Sequence, residues 1–151
     1  KLRYSLRDFS LSSISLVKGR EMWRIVNAEK KIDILNLNND ERVRSLIIAR
    51  ALSLLKRLIH GEEKNERLFE IFSGVSEYLK DTPALSVDYF KNIEIILVLR
   101  ILFLLGYLKK LQELKEFSET DCWNAEIIEK MTGQRRLALS EINRSINESQ
   151  L

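Results

Sequence analysis

Residues 1–31, KLRYSLRDFSLSSISLVKGREMWRIVNAEKK, carry eight Lys or Arg against three carboxylates, although the whole 151-residue chain has a formal charge of only +3. The other residues sum to a slightly negative charge, so the positive field is local. Side chains of this type on an exposed surface contact phosphates, and their excess here exceeds what solubility requires. The candidate nucleic-acid-binding residues are Lys1, Arg3, Arg7, Lys18, Arg20 and Arg24. A solvated basic face is the simpler explanation against which that assignment stands.

Catalytic chemistry finds little support. The sequence has no Gly-rich phosphate loop, no Cys/His ligand set and no strand-turn-helix nucleophile motif. Most of its 22 carboxylates fall on the polar faces of expected helices, so no catalytic residue and no small-molecule substrate are assigned. His60, beside Gly61, reads as a helix-end residue. Cys122, without Cys or His at ligand spacing, reads as an inert thiol, and no metal or cofactor is expected. The stripe Arg50, Lys56 and Arg57 is a weaker candidate, either for DNA or for an acidic protein segment, since a charged helix face is ordinary.

The elements that must position these groups follow from periodicity. Alternation in Lys1–Arg7 puts Leu2, Tyr4 and Leu6 on one face and the basic residues on the other, as in a half-buried strand. Ser13–Lys18 and Glu21–Asn27 flank Gly19-Arg20, which suits a two-residue type II′ turn. That register sets Lys18 against Glu21, Leu16 against Trp23 and Ile14 against Ile25, with Val17/Met22, Ser15/Arg24 and Ser13/Val26 on the other side. Trp23 is then assigned to the core side and Arg24 to solvent. The alternative role for Trp23 is a platform on which an unpaired base stacks.

After the connector Ile32–Asn39, the chain reads as helix. One helix begins near Asn39-Asp40-Glu41 and runs to about His60, with Gly61 ending it and apolar residues over about half its circumference. A second spans about Asn65 to Lys80, broken by Asp81-Thr82-Pro83. A third, capped by Ser86, runs to about Leu108 with the seam Phe90, Ile93, Leu97, Ile101 and Leu104. Two short helices, Trp123–Met131 and Arg135–Ile146, are expected to separate near Gly133, with Asn147–Leu151 frayed. The apolar run Ile93–Leu108 is interrupted by Glu94 and Arg100 and falls short of the roughly 20 residues of a membrane span, so it reads as a core helix.

One Cys, and no charged region leading into an apolar one at the start, point to a reducing cytoplasm. With no initiator Met and an opening in mid-pattern, upstream residues are expected to be missing.

Three passages resemble the bacterial RecO proteins, DNA repair and recombination mediators. KLRYSLRDFS is similar to the family's basic strand leading to an aromatic, LVKGREMWRIVNAE to its Gly-Arg hairpin and following strand, and ILVLRILFLLGYL to its central helix ending in Leu-Gly-Tyr; the closing INRSINESQL is also similar. The resemblance implies an α+β, mostly α chain. Residues 1–36 would be the later antiparallel strands of an N-terminal OB-fold barrel, and residues 37–151 a helical bundle domain. It further implies non-catalytic binding of single- and double-stranded DNA, strand annealing, and work with RecR and with the acidic tail of the single-strand-binding protein. Lys1, Arg3, Lys18, Arg20 and Arg24 match its basic positions. The four-cysteine zinc site of many relatives does not carry over, since only Cys122 is present in that region. The rival is a helical protein-interaction module whose basic surface docks an acidic protein.

Overall fold

A two-stranded antiparallel sheet followed by helices makes the chain α+β and mostly α. The computed structural model describes residues 5–6, 10–33, 41–59, 61, 64–83 and 86–149. Lys1, Arg3, Arg7 and His60 lie outside them. Of the strand expected over Lys1–Arg7, only Ser5 and Leu6 are described; Ser5 is helical and Leu6 is in a turn, so these two are not strand. The chain divides into two compact units, Lys1–Ser45 and Leu46–Leu151.

In the first unit β1 (Ser10–Lys18) pairs with β2 (Trp23–Asp33). In β1 serines interleave with Leu11, Ile14 and Leu16, and β2 opens with Trp23, Ile25 and Val26, residues that suit a pleated ribbon. The tip differs from the expected one. The Gly19 N–H donates to the Met22 carbonyl at 2.9 Å, which leaves Arg20 and Glu21 as the turn and sets Lys18 opposite Trp23, Val17 opposite Arg24 and Leu16 opposite Ile25. A type II′ turn would need Gly19 in the left-handed region, whereas the positive-φ glycines are Gly61 and Gly106. Sliding the tip by one residue moves the register by two, so the side chains between the turn and the first irregularity keep their faces. Irregularities between Ser15 and Leu16 and between Leu11 and Ser12 then skip Val26 and Lys31 on β2.

The core-side assignment of Trp23 is overturned. Trp23 is 56% exposed, and its face-mates Leu16 and Ile25 are exposed as well. A two-stranded ribbon has no second layer of its own to bury either face.

In the second unit local signals place the helices closely. Helix α1 (Glu41–Leu58), which belongs to this unit from Leu46 onward, buries Ile47, Ile48, Ala51 and Leu58. Its buried stripe is narrower than the expected half-circumference, because Leu52 and Ile59 stay exposed. Gly61 is left-handed with φ 100°, as a helix-terminating glycine should be. Helix α2 (Glu66–Asp81) starts where the Asn65 side chain accepts the Leu68 N–H at 3.0 Å, and it ends just before Pro83.

Helix α3 (Val87–Leu104) is capped by Ser86, whose hydroxyl accepts the Tyr89 N–H, and is buried on nearly all sides, as expected of the most apolar segment. It stops at Leu104 rather than near Leu108. Gly106 takes φ 78°, and the Tyr107 N–H returns to the Leu102 carbonyl at 2.8 Å, which closes the last turn. A 3₁₀ turn (Gln112–Leu114) leads into the short α4 (Lys115–Ser118).

The expected pair of closing helices is a single one, α5 (Ala125–Glu148), which runs unbroken through Gly133 and includes Asn147 and Glu148. Glycine in a helix interior costs about 1 kcal/mol relative to alanine. Here the neighbouring turns bury Ile128, Met131, Ala138 and Ile142, and α5 packs along α3. That burial, at roughly 1.5–3 kcal/mol per large apolar side chain, outweighs the local preference. Among the described residues no helix is long and apolar enough to cross a membrane.

Candidate nucleic-acid interface

The strand pairing brings three of the six predicted cations to one end of the hairpin. Lys18 closes β1, Arg20 is in the turn and Arg24 is the second residue of β2. All three are exposed, and none forms an ion pair among the described residues. Lys31, farther down β2, is by contrast neutralised by Glu29 at 2.8 Å.

They do not form one basic wall. Lys18 shares a face with Trp23, while Arg24 shares the opposite face with Val17, so positive charge wraps around the tip. The Lys18 ammonium lies 5.7 Å from the centroid of the Trp23 ring, a cation–π contact across the ladder. The arrangement offers exposed cations to phosphates and a half-exposed indole ring to a planar group.

In the helical unit the basic stripe separates into two situations. Arg50 is held by α3, its Nη1 lying 3.3 Å from both oxygens of Glu94. Lys56 and Arg57 are exposed in the last turn of α1, where cations are favoured by the helix dipole without any partner. A groove of about 330 Å³ between α3 and α5 is lined by the apolar Ile95, Val98, Leu139 and Ile142 and by the charged Lys91, Glu94 and Arg135. Arg135 is positioned by two bonds to the Asn92 side-chain oxygen, at 3.0 and 2.8 Å, and by Asp88 at 3.2 Å. The spacing of Lys91 and Arg135 in sequence gave no hint that they flank one groove.

Arg100 is the residue whose role the periodicity missed. It is fully buried in the middle of α3. Its Nε donates to the Phe117 carbonyl at 3.0 Å, and its Nη2 to the Cys122 carbonyl at 2.7 Å and the Thr120 hydroxyl at 3.2 Å. The guanidinium also lies 4.2 Å from the Trp123 ring centroid. Burial pushes its pKa down to about 10, partly opposed by Asp121 and the Cys122 thiol. A lone arginine within ILVLRILFLL was the available signal, because a charge inside an apolar, buried stretch of helix must find partners. Cys122 is exposed and its thiol accepts from the Asn124 amide at 3.2 Å. Among the described residues no group of three or more His, Cys, Asp or Glu is placed to hold a metal ion.

Comparison of the chain with protein-family models, with curated proteins and with solved structures finds no match.

Proposed function

We propose that the chain binds DNA through the cationic tip of its β hairpin and acts, without catalysis, as a mediator of the RecO type in DNA repair and recombination. The observation that carries this reading is the set Lys18, Arg20 and Arg24, exposed and without an ion pair among the described residues, around one turn with the exposed Trp23 ring beside them. In this reading β1 and β2 are strands of a partial OB-fold barrel, the helical unit is a bundle that supports it, and the protein works in the cytoplasm, at the nucleoid, with RecR.

The same reading gives the single-strand-binding protein's acidic tail a place to dock. The α3–α5 groove pairs an apolar lining with Lys91 and Arg135, which is what a segment with carboxylates beside an apolar end requires. Arg50 of the Arg50, Lys56, Arg57 stripe is paired with Glu94, and Lys91 and Arg135 of the groove with Asp88, so in either place an incoming carboxylate must compete with one already present.

Fluorescence anisotropy with a labelled single-stranded oligonucleotide tests the proposal. Each phosphate contact on a single strand contributes a slope of about −0.7 in log K against log salt, so three hairpin cations predict a slope of about −2 from these residues. Reversing Arg20 and Arg24 to Glu should lower affinity at least about tenfold and flatten that slope. Affinity that ignores both salt and the double reversal would exclude phosphate contact by the hairpin. Loss of acidic-peptide binding with DNA binding intact would favour a protein-docking module instead.

A further inference from the structure

Where α2 ends and α3 and α5 begin, Tyr78, Asp81, Pro83, Tyr89 and Glu129 line a cavity of about 420 Å³. Its size is within the range of small-ligand sites. Two phenol rings form one wall, their hydroxyls 2.5 Å apart. The Tyr78 ring stacks on Trp123 with centroids 6.4 Å apart, and Trp123 is in turn packed against the buried Arg100. Tyr89 meets Phe90 edge to face at 6.5 Å. The aromatic wall is therefore fixed from behind on both sides.

The charges around this cavity are one-sided. Asp81 and Glu129 form no ion pair among the described residues, whereas the neighbouring acids are taken: Glu126 and Glu116 by Lys130, and Asp88 by Lys91 and Arg135. Asp81 is also the last residue of α2, so the partial negative charge of that helix end adds to its own. The positive end of α5 reaches the cavity through Ala125, but Glu126 and Glu129 in its first turns counter it. Burial and the Tyr78 hydrogen bond raise the Tyr89 phenol above its ordinary range, with a further push from Glu129, so the Tyr89 ring presents a neutral π face.

We propose that this cavity is a recognition site for an arginine side chain presented by a partner protein. A flat guanidinium stacks on a phenol face while its in-plane N–H groups reach carboxylates, a combination an ammonium point charge cannot match. Pro83 and the tyrosine rings offer apolar surface to the methylene stem. Two unpaired carboxylates supply the complementary charge for one cation. The site is independent of the hairpin and stands or falls apart from DNA binding.

The test is NMR titration of the Tyr78 and Tyr89 ring resonances with the peptide acetyl-Gly-Gly-Arg-Gly-Gly-amide and with its citrulline counterpart, which keeps the shape and removes the charge. The arginine peptide should saturate in the millimolar range, and citrulline should bind about tenfold more weakly or not at all. Glu129→Gln and Asp81→Asn should each weaken the arginine peptide several-fold while the thermal midpoint stays put; Trp123 emission, read in a Trp23→Phe background, should report the same titration. Equal binding of citrulline, indifference to both substitutions, or no saturation up to about 10 mM would overturn the proposal. Tighter occupation of the same resonances by spermidine would overturn it in favour of a free polyamine.

Discussion

Replacing Arg100 by methionine keeps most of the side-chain volume and removes the charge. The Arg100 guanidinium makes two bonds to backbone carbonyls, Phe117 at 3.0 Å and Cys122 at 2.7 Å, and one to the Thr120 hydroxyl at 3.2 Å. Bonds to a charged group contribute about 1.5–3 kcal/mol each, and a buried carbonyl left without a donor costs about 1–3 kcal/mol. Against this stands the desolvation of the cation, which is what pulls its pKa down to about 10. Methionine removes that penalty but strands two carbonyls, for an expected net loss of roughly 2–4 kcal/mol. Arg100→Ala adds a cavity and should lose roughly 3–5 kcal/mol. Arg100→Lys should fall between, since one ammonium cannot span carbonyls on both sides of the loop. Urea denaturation followed by Trp123 emission in a Trp23→Phe background reads the helical unit alone. Buried ions replaced by apolar residues often leave a protein as stable or more so. If Arg100→Met behaves that way, the guanidinium is not what holds the Phe117–Trp123 segment to α3, and the reasoning fails.

Gly133→Ala should stabilise the protein by about 0.5–1 kcal/mol, because nothing lies within 4 Å of the added Cβ and the helix is continuous there; a lower thermal midpoint would contradict an unbroken α5. Asn92 donates to the Ile128 carbonyl and the Thr132 hydroxyl, both at 2.9 Å, and accepts from Arg135, so Asn92→Ala should cost about 1–3 kcal/mol by chemical denaturation and release Arg135. The Asp88 carboxyl is held below its ordinary 3.8 by the hydrogen bond and charge of Lys91 and by Arg135. The folded state thus holds that proton less tightly than the unfolded one, so the stabilisation is present above pH 3.8 and is lost as pH falls through the lowered folded value. Asp88→Asn should flatten the acid limb of thermal midpoint against pH below about 4, and an unchanged limb would refute the linkage.

Local chemistry made the helices legible. Asn65 and Ser86 announce two helix starts because a side-chain oxygen need only reach an N–H three residues away, and Pro83 marks a stop for an equally local reason. The apolar density of α3 identified the core before any contact was known. Near the tip, the shared face of Leu16, Lys18, Trp23 and Ile25 and the opposite face of Val17 and Arg24 also followed from alternation, which survives a register change of two.

The exact turn, the exposure of Trp23 and the unity of α5 were not legible, because each depends on what the rest of the molecule puts alongside. The two-residue shift at the hairpin tip leaves the pattern of alternation intact, so alternation cannot detect it. Gly133 looks like a break until the burial of α5 against α3 is added. The sites follow the same division. The basic residues near Gly19 are adjacent in the chain and could be seen there, but Arg100 with Cys122, Lys91 with Arg135, and Tyr78 with Glu129 are brought together only when α2, α3 and α5 pack. Sequence by itself determined which segments coil and which groups carry charge; only tertiary packing decided which of those groups meet, since their separation along the chain carries no trace of their distance in space.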